Sequence, residues 1–424
     1  MHLVSLGCAK NQVDSEKMLG ALVQAGALIC EDPRDADTVV INTCGFIASA
    51  KEESVNTILA AAKLKDEGTC QRLIVAGCLV ARHPDELAVE LPEVDAFTGV
   101  GDAEAVVRAC GLRPRGCARL RFGLPHVAFL RIADGCDNRC AYCAIPLIRG
   151  SLRSEPPRAV VAEASRLAGQ GAREIIIIAQ DTTSYGRDRK DGASLARLLP
   201  RLAAVTGKAW LRLMYTHPAH FSDDLISAYQ DLPTLCRYVD VPLQHLSDPI
   251  LKRMGRRVTQ KQCLDLIDKL RARVPGLVLR TTFLVGFPGE TASQFNELLR
   301  LVERIEFDHL GAFTYSVEEG TAAARLPRRV SQKEKDRRYA ELMAAQQEIA
   351  ARRNAARMGQ RCMLLVDSPA PGRKGAFISR FYGQAPDVDG VTLLRAANAK
   401  PGRFFDAVIT AAQGYDLVAR PWKR

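Results

Sequence analysis

Short apolar runs alternate with longer amphipathic stretches along most of the chain. In the first 110 residues the runs His2–Leu6, Thr38–Ile41 and Leu73–Ala76 read as buried parallel strands. Helical patterns lie between them, around Asp14–Ala25 and Ile47–Lys65. Strands alternating with helices predict an open βαβ sheet. Residues 111–126 are rich in Gly, Arg and Pro and read as a linker. A second alternating region follows, with strands expected at Ala128–Ala133, Glu174–Ala179, Trp210–Met214, Tyr238–Val241, Val278–Leu284 and His309–Thr314. Helices are expected between them, as at Arg158–Gln170, Lys261–Arg273 and Ser293–Ile305. Such a series predicts a β/α barrel, open or closed, over 127–357, ending in a long charged helix at Ser331–Met358. From 358 to 424 short strands such as Cys362–Asp367, Ala376–Ile378 and Gly390–Leu394 alternate with turn residues, the pattern of a small β-barrel. The fold class expected is therefore α/β multidomain, in three parts with boundaries at 1–110, 127–357 and 358–424.

Composition adds compartment and partners. No apolar run approaches the ~18 residues of a membrane span, and the N-terminus lacks the basic-then-apolar order of a signal peptide. A cytoplasmic protein with no membrane partner is expected. The net charge of +11 is uneven. Residues 1–110 carry 9 Lys+Arg against 17 Asp+Glu, whereas residues 358–424 carry 10 against 5. An acidic module beside a basic body suits a nucleic-acid or ribosomal partner, with RNA contact possible through the terminal barrel. A non-enzymatic RNA-binding metalloprotein fits these charges as well.

Thirteen cysteines in a chain of 424 residues without a signal point to metal or redox chemistry rather than disulfides. Cys136, Cys140 and Cys143 form C-x3-C-x2-C just after a predicted barrel strand. Thiolates are the ligands of iron–sulfur clusters, and three of them leave one iron open to a substrate or cofactor. A structural zinc site would ordinarily supply four ligands. Cys8, Cys44 and Cys78 are distant in sequence, yet each lies one to three residues beyond a predicted strand. Parallel strands end on one edge of a sheet, so the three can converge there. Each also has an adjacent glycine, which lets backbone approach a bulky group; buried core cysteines would give the same spacing. Cys30, Cys70, Cys110, Cys117, Cys236, Cys263 and Cys362 lack this context and read as structural. Sequence order places the two triads on different domains.

The Cys136 loop resembles the radical S-adenosylmethionine (SAM) signature. SLGCAKNQVDSEKML, NTCGFI and VAGC are similar to the three cysteine motifs of the methylthiotransferase N-terminal domain, and the terminal barrel is similar to a TRAM domain. The resemblance to the radical SAM methylthiotransferase family spans nearly the whole chain. It implies an enzyme with two [4Fe-4S] clusters, one on Cys136, Cys140 and Cys143 that binds SAM, and an auxiliary one on Cys8, Cys44 and Cys78 that holds the sulfur to be inserted. SAM would serve as both methyl donor and radical source, and an electron donor is required. Tyr142 matches an aromatic position near the adenine. Gly286, Gly289 and Glu290 look like a SAM-contacting turn. Gln180, Asp181 and Gln244 end barrel strands, where such folds place active-site groups; His217 and His220 read as structural.

Two subfamilies compete. One, MiaB-like, modifies an adenosine of tRNA. The other, RimO, modifies the β-carbon of an aspartate in the twelfth small-subunit ribosomal protein. SLGCAKN with VDSE, VDVPLQH followed by ILKRMGR, FDHLGAFTYSVEEGT, and SRFYGQAPDVDG resemble RimO more closely. Ala9 departs from the proline frequent there, which touches only the turn beside Cys8. The acidic N-terminal module would attract a basic ribosomal protein and repel tRNA.

Overall fold

The computed structural model describes residues 1–116 and 118–422, so Cys117 lies outside the described residues. Contacts divide the chain into two compact units. The first comprises Met1–Gly123, Asp134–Arg153 and Ser316–Ala324; the second comprises Leu124–Ala133, Ser154–Tyr315 and Arg325–Arg424.

The first unit is built on a parallel sheet of β1 (His2–Ser5), β2 (Thr38–Thr43), β3 (Arg72–Gly77) and β4 (Ala96–Thr98), in that order. The apolar runs are unbroken because both faces of this sheet are covered. Val39, Ile41, Leu73 and Val75 pack with Ile58 of α2 (Ala48–Asp66) on one face. Val40, Ile74 and Ala76 pack on the other, with Met18 and Leu22 of α1 (Ala9–Gln24) and Val106 and Val107 of α5 (Ala103–Ala109). Two short helices, α3 (Cys78–Arg82) and α4 (Pro84–Glu90), follow β3.

α1 begins five residues earlier than its apolar periodicity suggests. Cys8 is its N-cap, and the first turn carries buried Lys10 and Asn11, which hide the helix from a hydrophobic pattern. The expected linker is docked over part of its length. Leu120 N donates to Glu16 O at 2.9 Å, Arg119 pairs with buried Glu16, and Gly20 leaves room for Ala118 O, which a Cβ would approach to 2.1 Å.

In the second unit, Val127–Arg131, Glu174–Ile178 and Trp210–Leu213 form one parallel sheet, and Tyr238–Asp240, Val278–Val285 and His309–Thr314 form another. These are the six expected barrel strands, in sequence order. The helix Gln332–Ala355, capped by Ser331, leads to a closed barrel of five strands. Two of these, Phe404–Gln413 and Asp416–Pro421, complete a barrel of which the sequence pattern marked three strands. No helix among the described residues is long and apolar enough to cross a membrane.

Candidate functional site

The register of the first sheet brings Cys8, Cys44 and Cys78 to one edge. Ser5 pairs with Asn42, and Asn42 with Ala76, so the three strands end in one row. Cys8 lies three residues beyond that row, and Cys44 and Cys78 two. The glycines are required by this convergence. Gly7, at φ 88°, has its missing Cβ 3.0 Å from Cys44 Sγ; Gly77, at φ 99°, would place one 2.3 Å from Asn42 Oδ1. Polar side chains fix the loops. Asn11 Nδ2 donates to Leu6 O (2.6 Å), Asn42 O and Thr43 O (both 3.2 Å), tying the ends of β1 and β2. Ser54 Oγ accepts from Cys44 N at 3.1 Å and donates to Cys44 O at 2.8 Å.

The thiols differ in acidity. Loss of hydration works against the Cys8 thiolate. Lys10, the backbone N–H groups of Asn11 and Lys10 at the start of α1, and Arg149 outweigh it and bring that thiol below its ordinary value. Burial pushes Cys44 up and Cys78 up to about 11, the other thiolates adding to the rise. Three thiols that oppose one another's ionisation form a set that a polynuclear cation would neutralise. With glycine at each approach, the residues present fit an iron–sulfur cluster.

By contacts, the Cys136 loop falls in the same compact unit as this sheet edge, although sequence order puts the two triads on different domains. Cys136, Cys140 and Cys143 are all half-buried. The base of the loop is closed by Cys136 N donating to Gly150 O (3.1 Å) and Leu152 N to Asp137 Oδ1 (3.0 Å). Cys143 N donates to Cys140 O at 3.1 Å, drawing the last two cysteines into one turn. Tyr142 is half-buried on the same turn. Ala144 and Ile148 pack against Cys78, so α6 (Ile145–Arg149), which follows the loop, seats on α3.

Sequence reasoning missed Arg149 and Asp14. Arg149 Nη2 donates to Asp14 Oδ2 at 2.9 Å and to Cys78 Sγ at 3.5 Å, while Nη1 donates to the Asp134 oxygens at 3.2 and 3.1 Å. The available signal was weak: Asn11, Asp14 and Ser15 place a polar stripe at helical spacing on a face of α1 that is buried.

The remaining predicted site residues lie in the second unit. Gln180 is half-buried just after Glu174–Ile178. Asp181 is buried and its carboxylate accepts from Thr183 Oγ1 (2.5 Å), Ser184 Oγ (2.6 Å), Ser184 N (3.2 Å) and His220 Nδ1 (2.8 Å). Burial opposes its ionisation, but these donors hold it well below the usual carboxylate range. His217 lies in the same group; burial, then Arg256, lower its pKa to about 3, so its ring stays neutral. His217 Nδ1 accepts from Ala219 N at 3.2 Å. Gln244 and Tyr215, at strand ends, adopt φ of 70° and 60°. Such left-handed backbone in non-glycine residues marks places where the chain is held against its preference. Gly286 and Gly289 form a turn after Val278–Val285. Glu290 is buried beneath it, accepting from the N–H groups of Gly286 and Phe287 and pairing with Arg338 at 3.2 Å.

Comparison with known proteins divides the chain into three, with the Cys136 loop in the central match rather than the N-terminal one. Residues 1–99 match the family described as Uncharacterized protein family UPF0004, residues 130–302 the Radical SAM superfamily, and residues 358–421 the TRAM domain. The radical SAM family implies SAM and a [4Fe-4S] cluster. Among solved structures, a radical SAM methyltransferase, TsrM, from Kitasatospora setae is similar in fold at TM-score 0.55 and 17% identity, over 76% of each chain. The cobalamin-dependent SAM radical enzyme OxsB gives TM-score 0.51 at 11% identity, over 82% of this chain and 55% of that one. Two ribosomal protein uS12 methylthiotransferases RimO are similar over nearly their whole length. That of Trichlorobacter lovleyi is 44% identical over 99% of this chain and 97% of its own. That of Desulfosudis oleivorans is 46% identical over 98% of each. At that identity and coverage, the chain belongs to the RimO family of radical SAM methylthiotransferases.

Proposed function

We propose that the chain adds a methylthio group to the β-carbon of an aspartate in ribosomal protein uS12, using SAM and two [4Fe-4S] clusters. The observation that carries the reading is the convergence of Cys8, Cys44 and Cys78 at one sheet edge, in the unit that also holds Cys136, Cys140 and Cys143. When bound, these groups supply hydrogen abstraction from an unactivated carbon, the sulfur and the methyl group, which no side chain can provide. The protein supplies ligands and their spacing. Cys136, Cys140 and Cys143 are the proposed ligands of the SAM-binding cluster, and Cys8, Cys44 and Cys78 those of the auxiliary cluster. Tyr142, Gln180, Gln244, Gly286 and Gly289 are the proposed SAM contacts. Asp181 and Glu290, whose carboxylates already hold protein donors, shape the loops that carry them.

Several features favour uS12 over tRNA. Relatives matched over nearly their whole length carry the uS12 name, and Glu52, Glu53, Asp66 and Glu67 are exposed on α2 or its end, an acidic surface suited to a basic ribosomal protein. The basic terminal barrel would contact RNA if the substrate is met on the ribosome, and an external electron donor must reduce the clusters. A cytoplasmic setting follows from such a partner.

The test has two parts. Anaerobic reconstitution should give about eight iron and eight sulfide per chain; one zinc without sulfide would support a metal-stabilised RNA binder instead. Mass spectrometry of a deletion strain should show uS12 lacking its methylthio group while tRNA nucleosides are unchanged. Loss of a tRNA methylthio group with intact uS12 would reverse the substrate assignment.

A further inference from the structure

Arg149 is 5% exposed and makes four hydrogen bonds to three residues from three parts of the first unit. Its guanidinium joins Asp134, beside the Cys136 loop, to Asp14 on the helix that begins at Cys8, and to the sulfur of Cys78. Burial disfavours its charge, but Asp14, Cys78 and Asp134 hold it firmly protonated. A buried arginine matched only to carboxylates would be a clamp. This one also places an N–H on a proposed cluster ligand.

On the two-cluster reading above, we propose that Arg149 is a positioning residue that raises the reduction potential of the cluster held by Cys8, Cys44 and Cys78. One-electron reduction adds a negative charge to a cluster. A hydrogen bond to a ligand sulfur and a cation beside it stabilise the reduced form more than the oxidised one. Both effects are larger where water is excluded. Asp14 is the counterweight. It accepts from the same Nη2 that reaches Cys78, so it draws away part of the field that the sulfur would otherwise feel. The pair therefore sets the potential by opposition, and changes at the two residues should move it in opposite directions.

The experiment is a redox titration of the reconstituted full chain, followed by the electron paramagnetic resonance signals of the reduced clusters. Added SAM perturbs the signal of the cluster it binds, which identifies the other as the auxiliary one. Arg149→Gln should make reduction of the auxiliary cluster about tenfold or more less favourable, a downward shift of ~59 mV for one electron. Asp14→Asn should shift it upward, and Arg149→Lys should fall between wild type and Arg149→Gln. Should Arg149→Gln fail to retain iron, the other two variants decide. No shift in either, or shifts in the same direction with iron content intact, overturns the role of Arg149. Wild-type protein holding only about four iron would sink the two-cluster reading, and this inference with it.

Discussion

Two buried arginine centres show how differently this chain uses the same side chain. In the second unit Arg212 Nε donates to Glu174 at 2.6 Å, and Arg380 donates to Glu174 at 2.6 Å and to Asp367 at 2.7 and 3.0 Å. His126 completes the set at 2.9 Å from Asp367. The spare Arg212 donors reach the carbonyls of Tyr382 and Gln384, and its guanidinium lies 4.6 Å from the Tyr238 ring centre. Every strong partner here is protein, and the network joins barrel strands to the terminal β-barrel. In the first unit Arg149 is equally buried, yet one of its partners is a thiol of a proposed cluster. The first centre is complete as folded. On the two-cluster reading proposed above, the second is arranged around a group that the polypeptide itself does not supply.

The sharpest separation of the two regions comes from chemistry. Replacing Cys136, Cys140 and Cys143 together by Ala should abolish 5′-deoxyadenosine formation while about four iron remain. Undiminished deoxyadenosine would refute the loop assignment. Next in size is Arg380→Met. Breaking a buried network from one side leaves Glu174 and Asp367 short of a partner, at a cost of ~3–5 kcal/mol. The denaturation midpoint of the second unit should fall sharply with the iron stoichiometry of the folded protein unchanged; an unshifted midpoint would contradict the role of the network. Gly7→Ala is aimed at the other region. Its Cβ would press on Cys44, so iron should drop from about eight to about four while SAM cleavage persists. Full iron loading would show that the loop can yield.

The smallest effect is with pH. Burial opposes ionisation of Glu174 and Asp367, but Arg380 and Arg212 for the first, and His126 and Arg380 for the second, hold both pKa values below their ordinary positions. A depressed carboxylate contributes fully above its unfolded value and loses that contribution as pH falls through the folded one. The second unit should thus weaken progressively below about pH 4.5. Glu174→Gln should start less stable at neutral pH and decline less steeply. Parallel urea midpoints against pH for the two proteins would refute this account.

The placement of the cysteines was legible in sequence because each carries its own local context. Cys136, Cys140 and Cys143 share one loop, and Cys8, Cys44 and Cys78 share a strand-end context that a parallel sheet converts into proximity. Helix limits were legible wherever a cap accompanied the periodicity. Ala292–Ile305 begins at a Thr291 capping box, one residue from the expected start. Arg149 was not legible. Asp14 and Cys78 lie 135 and 71 residues away, and an arginine ending a short apolar helix looks like an ordinary surface cation. Gln244 was visible as a position beyond a strand, but its left-handed backbone was not, since glutamine does not announce it. The terminal strands Phe404–Gln413 and Asp416–Pro421 escaped because each buries only three consecutive residues, with exposed and half-buried positions on either side, so neither shows a long apolar run or a clean alternation.

The terminal barrel closes on itself, its strand Thr392–Arg395 pairing on one side with Ala376–Phe381 and on the other, in parallel, with Asp416–Pro421. A closed ladder offers no vacant row of peptide groups to an incoming strand. A partner of this domain must therefore be read by side chains and connecting loops. Extending the sheet, a recurring way for a β-domain to capture a peptide, is closed to it. Selectivity here should respond to changes in surface charge and loop sequence, and should be indifferent to the strand-forming tendency of whatever is bound.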